Sequence, residues 1–145
     1  MPTMPKFDKS TFITKPYVKR VEKPWGYEIH WVPEGMPYMG KILHIDANRR
    51  LSLQIHDEKQ ETYWLLNGEC NLLIENPEGE IETIKMEKGV SYTTVVGQKH
   101  RHEAVTDCDV MEASMHEVGT TWRIEDDYSR PNETPEQRKK ERGEV

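Results

Sequence analysis

Cysteine is scarce. Cys70 and Cys108 are the only two, too few for a disulfide framework, and neither sits in a CxxC spacing. Both are expected reduced and buried, in a cytoplasmic protein. Long apolar runs are absent as well: no stretch of about 18 apolar residues exists to cross a membrane. The opening residues, MPTMPKFDKSTF, lack the apolar segment of a secretory signal. Hydrophobic residues make up only 34% of the chain and charged ones 32%, so any core must be compact and its outside highly solvated. Positive charge is in deficit, and the formal net charge of −6 excludes nucleic acid and anionic membranes as default partners. A small phosphorylated substrate stays possible, because a local basic pocket suffices for it. Helical periodicity is missing from the middle of the chain.

What is present is a succession of short alternating runs. The 145 residues suit one domain. Residues 1–20 carry scattered prolines and mixed charge and read as an N-terminal arm. Residues 21–130 form the domain. Residues 131–145, PNETPEQRKKERGEV, are polar and expected to be disordered, or at most a short surface helix after Pro135. Within the domain, WGYEIHWV, GKILHID, RLSLQIH, TYWLLNG, CNLLIEN, EIETIKM, VSYTTVV, RHEAVT and VMEASMH each suit one strand. Turn signals such as DANR, NGE, NPEGE, EKG and VGQK separate them. Many short strands at regular spacing imply an all-β antiparallel sandwich or barrel.

Several polar residues interrupt these strands. Side chains alternate faces along a strand, so Gln54 and His56 share one side and leave Leu51, Leu53 and Ile55 to the other. Glu61 shares a face with Tyr63 and Leu65, and His100 with His102. If these strands adjoin, a barrel interior receives an amide oxygen, a carboxylate and imidazoles. Such groups must be paired or coordinate something. A divalent metal ion satisfies them together, with Zn, Mn, Fe, Co and Ni all suited. His30, His44 and His116 fit better as surface or hydrogen-bonded core groups.

Gln54, His56, Glu61 and Gly68 resemble the first cupin motif, with Gln in place of its first His. Gly89 through Gly97 and His100 resemble the second, with Val95 where Pro is usual and Ala104 where Asn is usual. The resemblance implies a cupin double-stranded β-helix, a jelly-roll barrel, with Gln54, His56, Glu61 and His100 as metal ligands. KPWGYE (residues 23–28), LSLQIH (51–56), His100 with Arg101, and Glu112 with Arg123, Asp126, Asp127, Tyr128 and Arg130 narrow it further. Together they resemble the stand-alone cupins and C-terminal domains of type II mannose-6-phosphate isomerases.

That resemblance implies a metal-dependent interconversion of mannose 6-phosphate and fructose 6-phosphate. His102 would be a candidate general base, and Lys59, Arg50 and Arg123 would be substrate-binding cations. Parity favours Arg50 over Arg49. Glu58 and Lys59 depart from the family, which carries a His-Arg pair before the motif-one glutamate; Lys is not a bidentate phosphate fork. A non-catalytic metal- or carbohydrate-binding cupin, or a metal-cupin oxygenase or lyase acting on a small acid, are the alternatives. Glu112 and Asp126 to Tyr128 are expected to anchor the C-terminal segment, and Trp64 to cover the core. Family analogy implies a homodimer.

Overall fold

The computed structural model describes residues 1–144. Eleven strands follow a short 3-10 turn at Lys9–Thr11: β1 Lys19–Lys23, β2 Gly26–His30, β3 Tyr38–Ile45, β4 Leu53–His56, β5 Glu61–Asn67, β6 Cys70–Glu75, β7 Ile81–Lys85, β8 Ser91–Thr94, β9 His100–Ala104, β10 Cys108–Met115 and β11 Thr121–Glu125. One helix, α1, spans Pro135–Glu141. Every pairing is antiparallel, in two sheets ordered β1-β2-β3-β10-β5-β8 and β11-β4-β9-β6-β7. Two facing antiparallel sheets with long-range strand order make a jelly roll. The nine runs identified from sequence all become strands. The two additional ones, β1 and β11, each bury one residue fully, Val21 and Thr121, so alternation had little to report.

The apolar core lies between the sheets and includes Trp25, Leu43, Ile45, Tyr63, Leu65, Leu72 and Val110. Cys70 and Cys108 are both free and fully buried within it. Trp64, expected to cover the core, is 42% exposed on the outer face of β5. Two motif glycines act through the backbone. Gly68 turns the chain from β5 into β6 at φ +79°, where a Cβ would collide with the Asp107 carbonyl oxygen. Gly97 adopts φ +83° in the turn that delivers β9.

Within residues 131–144 the short helix after Pro135 that the sequence allowed is present, as α1. Glu133 forms a β-bridge with Thr121, and Thr134 caps α1 by accepting from the Gln137 amide at 3.1 Å. A seven-residue helix is marginal by itself, and the only residue α1 buries is Arg138. Ion pairs dock it. Arg123 holds Glu141 at 2.7 Å through both terminal guanidinium nitrogens, and Arg138 reaches Glu133 at 3.0 Å and Glu117 at 3.1 Å. A pattern-based reading searches for an apolar stripe, and here the stripe is ionic.

Candidate metal centre

Strand pairing assembles the centre. Gln54 of β4 lies opposite His100 of β9, and β5 supplies Glu61 from the other sheet. Gln54 and His56 lie two residues apart in β4 and so project the same way. One ligand atom from each of His56, Glu61 and His100 lies within 4.8 Å of the others, and all three residues are at least 95% buried. The Gln54 amide sits against both imidazoles, its Nε2 3.3 Å from His56 Nε2 and 3.5 Å from His100 Nε2. A half-turn of this amide would present Oε1 instead and leave the nitrogen to donate to Ser52 Oγ, which is 2.8 Å from the present Oε1.

The imidazoles are oriented from behind. His100 Nδ1 lies 2.9 Å from the Gln98 carbonyl, which can only accept, so Nδ1 carries the hydrogen and Nε2 offers a lone pair to the centre. His56 Nδ1 meets Thr121 Oγ1 at 2.9 Å. Burial lowers the His100 pKa to about 4, which keeps that lone pair available. Burial alone would raise the Glu61 carboxyl; the charges of Lys59 and His56 outweigh it and hold the pKa well below the usual carboxylate range. Two imidazole nitrogens, a carboxylate and an amide are the donor set of a hard-to-borderline divalent ion.

The residues expected to bind substrate are each engaged with other side chains. Lys59 is 6% exposed, lines the cavity beside the centre, and has its Nζ 3.2 Å from Glu61 Oε1. Arg50 forks onto Asp127 at 2.8 and 2.9 Å and does not line the cavity beside the centre. Arg123 does line that cavity, with both its terminal nitrogens engaged by Glu133, Glu141 and the Pro131 carbonyl. His102, the candidate base, faces inward as parity required. It packs edge-on against Tyr63 at 4.5 Å between centroids, is 1% exposed and does not line the cavity. Burial drives its pKa down to about 3.

Other residues belong to the site without having been singled out for it. Glu112, expected to anchor the C-terminal segment, is buried against Glu61, and its Oε2 has no partner among the described residues. Desolvation and the Glu61 charge raise its pKa well above the usual range. Glu28 and Lys41 line the same cavity 3.7 Å apart, and Lys41 also pairs with Glu117. Alternation along β3 and β10 places Lys41 and Glu112 inward, and an inward lysine on a strand was the signal available. Asp126 folds the C-terminal segment on itself through Arg130 at 2.8 to 3.0 Å, and Asp127 ties it to Arg50. The cavity itself is about 50 Å³, room for an ion and a water or two.

No protein-family model matches the chain, and no curated protein matches it in sequence. Solved structures do match in fold. KdgF from Halomonas sp. is 13% identical with a TM-score of 0.56, over 69% of this chain and 89% of that one. Oxalate decarboxylase from Bacillus subtilis, in a structure at pH 4.6, is 13% identical with a TM-score of 0.57, over 79% and 30%. The capsular polysaccharide assembling protein CapF from Staphylococcus aureus is 14% identical with a TM-score of 0.57, over 86% and 34%. The chain thus spans about a third of the latter two. Its two antiparallel sheets, and the likeness to these three proteins, give the chain the cupin jelly-roll fold.

Proposed function

We propose that the chain is a divalent-metal cupin enzyme acting on a small oxygen-rich substrate, with Gln54, His56, Glu61 and His100 as the metal ligands. The observation that carries this reading is the convergence of buried His56, Glu61 and His100 atoms within 4.8 Å. A bound divalent ion would supply Lewis acidity toward a carbonyl or hydroxyl oxygen. The chain's own residues do the rest. Gln98 and Thr121 fix the imidazole rings, and Lys59 pairs with Glu61. Lys23, Lys41, Lys59, Arg123 and Arg130 line the cavity against Glu28, Glu61, Glu112 and Glu133, a balance that a divalent ion would tip toward anionic substrates.

A second reading, aldose-ketose isomerisation of mannose 6-phosphate, is favoured by the residue matches at KPWGYE, LSLQIH and Glu112 to Arg130. It requires more of the site. Ligand cavities usually measure about 300–1,000 Å³, and this one is about 50 Å³, so a hexose phosphate needs the cavity to widen before it can enter. Its phosphate would also have to break the Arg123 ion pairs.

Metal analysis of the purified protein tests the first reading. His56→Ala and His100→Ala should each lose most of the bound ion; stoichiometric metal in both variants would overturn the ligand assignment. A coupled assay for fructose 6-phosphate, run with Zn²⁺, Mn²⁺, Co²⁺ and Fe²⁺ in turn, tests the second. Absence of turnover with every ion sinks the isomerase and leaves the metal reading standing.

A further inference from the structure

A second cavity of about 480 Å³ opens beside the barrel, independent of the metal ligands. Its walls come from Tyr17, the loop Val32–Pro37, Met39 and the segment after α1. Its volume lies within the usual range for small-molecule sites. Its charged groups are already engaged with one another. Lys19 pairs with Glu144 at 2.9 Å and Glu34 at 3.8 Å, and Arg142 pairs with Glu117 at 2.5 Å. No uncompensated charge is left among the described residues to hold an ion, so the walls suit a neutral guest.

Tyr17, Tyr38 and His116 line the cavity from more exposed positions, and one polar group in its wall is almost wholly buried. His30, at the end of β2, is 3% exposed and lines it. Its Nε2 lies 2.8 Å from Glu28 Oε1. Glu28 is buried beside Lys41, whose charge overcomes the effect of burial and keeps the carboxyl ionised. An ionised carboxylate only accepts, so the imidazole hydrogen resides on Nε2 and Nδ1 is left a bare acceptor. Nδ1 has no hydrogen-bond partner among the described residues. Burial also lowers the His30 pKa, which keeps the ring neutral. An oriented, almost wholly buried acceptor beside aliphatic, thioether and aromatic walls defines a chemical class.

We propose that this cavity binds a neutral, ring-bearing small molecule that donates one hydroxyl or N–H hydrogen bond to His30 Nδ1. The ring lies against Val32, Met36, Pro37 and Met39, and Glu28 sets the histidine tautomer that receives the donor.

The probes are p-cresol, which carries a ring and a donor, and 4-methylanisole, the same ring with the donor capped. Each is titrated into the full-length protein, with the histidine ring nitrogens followed by ¹H–¹⁵N NMR. p-Cresol should saturate and shift the His30 Nδ1 resonance, and should bind about tenfold more tightly than 4-methylanisole, the value of one buried hydrogen bond. Met36→Trp, which fills the cavity without touching a buried ion pair, should abolish the shift in a protein of unchanged fold. His30→Phe should equalise the two probes; because it strands Glu28 it could fail to fold, and Met36→Trp then decides. Equal affinity for both probes in the wild-type protein, an unmoved His30, or undiminished binding to Met36→Trp would each overturn the proposal.

Discussion

Gln54, His56 and Glu61 are polar where strands β4 and β5 face the interior; alternation paired Gln54 with His56, and the first motif added Glu61. His100 needed the second motif, because no local rule says that β9 lies beside β4. Lys59 was legible as a cation and illegible as to its partner. It precedes β5 by two residues, and only the folded loop turns its ammonium toward Glu61. That contact has a consequence. A buried positive charge 3.2 Å from a metal-ligating carboxylate repels an arriving cation and occupies one of its oxygens. Lys59→Met should therefore bind Co²⁺ or Zn²⁺ about tenfold more tightly, measured by competition against a chromophoric chelator. Unchanged or weaker affinity would mean that Lys59 serves Glu61 by orienting it.

Among the elements, nine strands were readable from their runs and turns and α1 only from Pro135, whereas β1 and β11 were not, because each is held by something other than an apolar face. β1 contributes only Val21 to the core, and β11 is positioned by Thr121, which hydrogen-bonds His56. α1 depends on Arg123, Glu133, Arg138 and Glu141. This predicts where acid acts first. Burial would raise the Glu141 pKa, but its bonds to Arg123 and Gln137 bring it from 4.5 down to about 2. Glu133 and Asp126 are lowered too. A carboxyl depressed in the folded state contributes stability above its unfolded pKa and loses it as pH falls toward the folded value. The docking of α1 should thus weaken between pH 4.5 and about 2 while β3, β5 and β10 stay closed. Amide-exchange protection factors for residues 138–141 should fall across that window ahead of those in β5. Parallel loss in helix and strands would refute an ionic dock.

For the molecule as a whole, a hydrophobic fraction of 34% implied a small core, and the interior shows how the fold copes with it. One cluster, around Trp25, Leu43, Tyr63 and Leu72, is apolar, and the remaining interior is a lattice of Glu28, Lys41, Lys59, Glu61, Glu112 and Glu117. The jelly roll was legible because strand spacing reports architecture. The charge lattice was not, because each of its members taken alone reads as a solvated side chain. Buried ion pairs add little net stability over apolar packing, since desolvation offsets their attraction. A ligand that binds only the folded centre therefore stands out against this background. An ion present at a hundred times its Kd adds about 2.7 kcal/mol of stability. For a domain of this size each kcal/mol moves Tm by about 2–4 °C, so saturating metal should raise Tm by about 5–10 °C. Differential scanning calorimetry of metal-stripped and reloaded protein measures it directly. The shift should vanish in His56→Ala and His100→Ala. If instead both variants shift like the wild type, the stabilising ion sits elsewhere than at Gln54, His56, Glu61 and His100.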